Sequence, residues 1–116
     1  MGTRRTVVGA HYGLRDWLAQ RVTACVLTVY TVVLLVALLS LPELDYAAWA
    51  GLFATSWMKV LTVLALVALF YHVWVGVRDI FMDYVKPTAL RLFLQVATIV
   101  ALLGYAIWSL MILWRV

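Results

Sequence analysis

Three long stretches of the chain carry no charged side chain: the 21 residues between Arg21 and Glu43, the 18 between Lys59 and Arg78, and the 23 between Arg91 and Arg115. About 20 apolar residues in a helix cross ~30 Å of hydrocarbon. Each run therefore predicts one transmembrane helix, over about 22–42, 60–80 and 91–114. The middle run is slightly short, so its helix is expected to extend outward on both sides, with Lys59 snorkelling to the interface and the Arg78 end reaching water. Pro87 biases Lys86 away from helical geometry and separates the second helix from the third, which starts near Thr88. Pro42, Glu43, Asp45 and Tyr46 mark the first connection. The pattern reads as one all-α domain over 1–116: a basic amphipathic lead-in, a span, a short connection, a span, a polar connection and a span. It shows no linker, internal repeat or low-complexity segment. A cleaved leader is not expected, because the first apolar run begins only after some twenty residues and has no small-residue cleavage site behind it.

Composition agrees with the pattern. Of 116 residues, 67% are hydrophobic and 12% charged, against roughly a quarter charged in an ordinary soluble domain. The basic residues are unevenly placed: Arg4, Arg5, Arg15, Arg21, Arg78, Lys86 and Arg91 fall on one side of the spans, and only Lys59 and Arg115 on the other. The positive-inside rule then puts the N-terminus and second connection in the cytoplasm, and the first connection and C-terminus outside. The net charge of +4 is largely this topological signal and is not read as nucleic-acid binding. Trp49 and Trp57, with Trp108 and Trp114, sit where aromatic belts are expected. Cys25 has no second cysteine in the chain, which excludes an internal disulfide and leaves it a packing role.

Within the second run stands one ionisable side chain, His72, and such a group at membrane depth is a functional candidate. Helical spacing puts Ala65, Ala68, Leu69, Val75, Gly76 and Asp79 on its face. The small residues fit two uses equally well: a helix-packing stripe across which His72 donates a hydrogen bond, or close approach of a flat macrocycle. Asp83 lies eleven residues after His72, nearly the same face after ~16 Å of rise. Asp79 and Asp83 are an i,i+4 pair of like charges, mildly unfavourable unless cations such as Arg78 or Lys86 lie close. Tyr84 offers a phenol that can hydrogen-bond a carbonyl oxygen or simply anchor at the interface. No glycine-rich phosphate loop, CxxC, HExxH or nucleophile–base–acid set is present. A lone histidine cannot hold a metal alone, so any second ligand must come from another chain. Three helices also enclose little volume, and a membrane partner is expected on packing grounds.

The stretch Tyr71-His72-Val73-Trp74-Val75-Gly76, then Asp83-Tyr84-Val85-Lys86-Pro87 and Leu90-Arg91-Leu92, resembles the smaller hydrophobic membrane anchor, the D-type subunit, of bacterial succinate dehydrogenase, respiratory complex II. Arg21-Val22-Thr23-Ala24 and Leu27-Thr28-Val29-Tyr30 at the start of the first span are similar too, and the resemblance covers roughly Gly13 to the C-terminus. It implies half of a heterodimeric haem-binding bundle, in which this chain and a second, C-type anchor each give one axial histidine to a single haem b. His72 would be this chain's ligand to the haem iron. Arg21, with Asp16 beside it, would lie near the haem propionates; Arg15 stands where some relatives have histidine. Tyr84 would hydrogen-bond a carbonyl of ubiquinone, with Asp83 supporting the polar network and proton supply. The implied partners are the second anchor, an iron-sulfur subunit and a flavoprotein subunit, in the bacterial inner membrane. Succinate is oxidised on the flavoprotein by this pattern, and the chain is not catalytic alone. Two alternatives differ in kind: a haem-free anchor of a fumarate reductase, in which His72 only packs, and a small multidrug-type transporter. The transporter needs a buried carboxylate within a span, and the first and third spans have none.

Overall fold

The computed structural model describes residues 8–116, with side chains from Gly13 onward; Arg4 and Arg5 of the basic count lie outside them. The described chain is helical throughout: α1 Val8–Leu39, α2 Tyr46–Ala54, α3 Ser56–Tyr84 and α4 Thr88–Arg115. Three of these are long and apolar enough to cross a membrane. They exceed the charge-free runs because nothing stops them at the charges. The basic lead-in is no separate element, since Gly13 to Gln20 contains no proline and simply continues α1. With 32 residues, α1 is about 48 Å long, well beyond ~30 Å of hydrocarbon. Its far end closes at Ser40 and Leu41, whose amides reach back to the Val36, Ala37 and Leu38 carbonyls before Pro42 forbids another turn.

The connection expected to be short holds a helix of its own. Asp45 caps α2, its carboxylate accepting the Ala48 amide at 2.8 Å, as an N-cap aspartate should. Thr55 ends α2 and precedes α3, and its hydroxyl donates to the Leu52 carbonyl at 2.7 Å. At the other end of α3 the break falls where Pro87 demands it: Val85 donates its amide to the Phe81 carbonyl, and α4 starts at Thr88.

Packing makes α3 the central element, flanked by α1 and α4, with α2 laid across the far ends of α3 and α4. Phe53, Met58 and Leu113 form a buried cluster there, covered by Tyr30, Leu34, Ala37, Leu52, Val63 and Val116. Trp49 packs on Phe53 with ring centroids 4.8 Å apart. Most large apolar side chains outside this cluster are exposed, as a chain solvated by lipid allows. Hydroxyls on the spans are satisfied locally: Thr28, Thr31, Thr98 and Ser109 each donate to the carbonyl four residues back at 2.7–2.8 Å, so none needs water in the hydrocarbon.

The α1–α3 contact positions the site. Asp16 meets Arg78, Gln20 covers Gly76, Thr23 meets His72 and Tyr30 meets Thr62 at 2.7 Å. Numbers rise on α1 as they fall on α3, so the pair is antiparallel. On α1 these residues are spaced four, three and seven apart, a heptad seam. Ala65, Ala68 and Val75 are buried on α3, and small residues there let the two backbones approach closely.

Candidate functional site

The stripe around His72 is occupied by this chain's own first helix. Where small residues left room for either a helix or a macrocycle, α1 fills the room, and Gln20 takes the place over Gly76. A Cβ built on Gly76 meets only the Gln20 amide nitrogen, at 3.6 Å, ordinary van der Waals contact. Gly76→Ala is therefore expected to leave folding and stability unchanged, read as the melting temperature of the purified protein. A marked loss of stability would mean that α1 lies tighter on Gly76 than this contact shows.

His72 is half-buried, with Nδ1 2.9 Å from the Thr23 hydroxyl. Thr23 is the buried polar residue of the described chain, 8% exposed, and its hydroxyl also lies 2.7 Å from the Ala19 carbonyl and 3.2 Å from that of Gln20. A hydroxyl has one proton, and carbonyls only accept. With donation to the near carbonyl the Thr23 oxygen is an acceptor toward His72, an arrangement that puts a ring proton on Nδ1. The neutral imidazole then carries its lone pair on Nε2. Histidines that bind metals show this arrangement, one nitrogen donating to a neighbour and the other free for the ion. An interhelical hydrogen bond in a membrane is worth about 0.6–2 kcal/mol, a bias of about threefold to thirtyfold toward the ring orientation that makes it.

Toward the basic end the site becomes charged. Arg78 pairs with Asp16 across the two helices, each side chain about three-quarters buried, and the Arg78 guanidinium lies 5.9 Å from the Trp74 ring centroid. Arg21 is exposed and stacks over Trp17 at 5.1 Å. Both arginines thus rest on tryptophans, a favourable cation–π placement at a membrane boundary. Arg21 and Thr23 are two apart on α1 and leave it in different directions; the structure does not bring Arg21 onto His72. Arg78, read from sequence as a possible relief for Asp79 and Asp83, turns to α1. Lys59 reaches the opposite interface, its ammonium 5.3 Å from the Trp114 ring centroid.

Asp83 and Tyr84 end α3, both exposed, Tyr84 at 77%. They stand on the basic end, ~16–18 Å of rise from His72. Among the described residues no group of three potential metal ligands occurs.

Sequence reasoning missed Thr23, Gln20 and the Asp16–Arg78 pair as neighbours of the site. Their signal is the spacing of Asp16, Gln20, Thr23 and Tyr30, which puts four polar side chains on one face of an otherwise apolar helix. Among the described residues the Gln20 side-chain oxygen is buried without a hydrogen-bond partner.

Residues 1–113 match the family of succinate dehydrogenase/fumarate reductase transmembrane subunits. The chain is also similar to the succinate dehydrogenase hydrophobic membrane anchor subunit of Coxiella burnetii (strain RSA 493 / Nine Mile phase I), 37% identical over 102 residues that cover 88% of this chain and 89% of that one.

Proposed function

The chain belongs to the succinate dehydrogenase/fumarate reductase transmembrane subunit family, and from that membership we propose that it anchors a succinate:ubiquinone oxidoreductase in the bacterial inner membrane, gives one axial ligand to a haem b and forms part of the quinone-reduction site. The observation that carries the haem reading is the Thr23–His72 hydrogen bond, which fits the donor chemistry the group requires: a neutral imidazole with Nε2 unprotonated. His72 would hold the iron from this side, and a histidine of the second, C-type anchor from the other. When bound, the haem supplies a one-electron store close to the quinone.

The remaining residues bind and orient. Arg21 lies about 3 Å of rise from Thr23 toward the basic end, and its guanidinium would offset propionate charge. Arg78 pairs with Asp16, and its charge would keep the carboxylate from making that vicinity anionic. Tyr84 would donate its phenol proton to a quinone carbonyl oxygen, fixing the ring's position as charge develops on that oxygen. Asp83, one residue away and exposed to water, would accept and return protons along the pocket's polar rim. The basic end faces the cytoplasm by the charge asymmetry, leaving the N-terminus cytoplasmic and the C-terminus periplasmic. Succinate oxidation stays on the flavoprotein, with electrons arriving through the iron-sulfur subunit.

Affinity purification of the complex through a tag on this chain tests the reading. The expected result is a flavoprotein, an iron-sulfur protein and a second three-helix anchor, with a b-type band in the reduced-minus-oxidised spectrum. The same partners without that band would favour the haem-free fumarate reductase anchor. No partners, together with transport activity from the chain alone, would favour the transporter.

A further inference from the structure

We propose that Thr23 is a positioning residue for the haem ligand: α1, not α3 alone, sets the His72 ring by accepting its Nδ1 proton, so that Nε2 presents a lone pair to the iron. The inference rests on the haem reading above and goes beyond it by assigning a role to a residue on a different helix. Three observations combine. The Thr23 hydroxyl is buried, so water does not compete for its lone pair. Its own proton can go to the Ala19 carbonyl 2.7 Å away, and with that donation made the hydroxyl can only accept from the His72 ring. Gln20 lies over Gly76 one turn along the same seam, and Ala68 and Val75 are buried on the same helix.

Without the hydroxyl, Nδ1–H has no partner in an apolar contact, and the ring gains by rotating or by moving its proton to Nε2, where it would block coordination. Accepting a proton bond from Nδ1–H also makes an imidazole more basic and favours ferric iron, so losing that bond should raise the haem midpoint potential.

The test compares Thr23→Val, which keeps shape but removes the hydroxyl, with Thr23→Ser, which keeps the hydroxyl but removes a methyl group. Haem transfer from the purified complex to excess apomyoglobin and the haem midpoint potential are the readouts. The proposal expects Thr23→Val to lose haem about tenfold faster or more with a raised midpoint, and Thr23→Ser to resemble the parent. Val at the parent's rate and potential overturns it. Equal defects in Val and Ser overturn it too, because they would show a packing role. If the Val complex does not assemble, Thr23→Ala against Thr23→Ser applies the same criterion. A His72→Ala complex measured in parallel separates the two levels: full haem content there sinks the ligand assignment itself, whereas haem loss there with unchanged Thr23 variants sinks only the positioning role.

Discussion

The complex carrying His72→Ala is expected to assemble but to hold far less haem b, at least about tenfold below the parent when haem is normalised to flavin. The reasoning separates coordination from folding. His72 is only half-buried, and its removal orphans nothing on α1, because the Thr23 hydroxyl keeps its bond to the Ala19 carbonyl. The rest of the α1–α3 seam, from Asp16–Arg78 to Tyr30–Thr62, does not involve the imidazole. What disappears is one of two ligands to the iron, and one imidazole from a partner chain holds haem far more weakly than two. Succinate oxidation with an artificial acceptor should therefore persist while the reduced b-type band is lost. A band of parental intensity would leave His72 a packing residue.

Tyr84→Phe is expected to slow ubiquinone reduction by about tenfold to a hundredfold, with succinate oxidation by an artificial acceptor largely retained. A hydrogen bond to a group gaining charge is worth about 1.5–3 kcal/mol, and each 1.36 kcal/mol of barrier is a factor of ten in rate. The substitution is clean because Tyr84 is 77% exposed at the last turn of α3, and surface changes of this kind alter stability by about 0.5 kcal/mol or less. Any loss confined to quinone reduction then reports the phenol. Equal loss of both activities would count against a quinone role.

Much of this was legible in the charge pattern alone. Runs free of charge announced the three long helices, and Pro87 announced the break before Thr88. What the runs could not announce was where helices end beyond the hydrocarbon: α1 runs unbroken through Arg15, Asp16 and Arg21 because backbone hydrogen bonding, unlike membrane partition, is indifferent to those charges. Nor could they show α2, nine residues whose only sequence cue is Asp45 as a cap. At the site, His72 stood out because an ionisable group in hydrocarbon is costly, whereas Thr23 looked like any hydroxyl satisfied on its own helix. Its role depends on the register between α1 and α3, a tertiary fact. The small residues near His72 were ambiguous for the same reason, since spacing gives a face but not its occupant, and the occupant proved to be α1. Tyr84 and Asp83 are visible in both sequence and structure, and the proposed quinone pocket would be completed by other subunits.

The central claim is that the iron of a haem b is bound by Nε2 of His72. Pulsed electron paramagnetic resonance on the ferric complex, with histidine labelled by nitrogen-15, tests it at the atom in question. Two strongly coupled histidine nitrogens are predicted for the parent and one for a His72→Met complex that retains haem through the thioether. Two unchanged couplings in the Met variant would contradict the assignment.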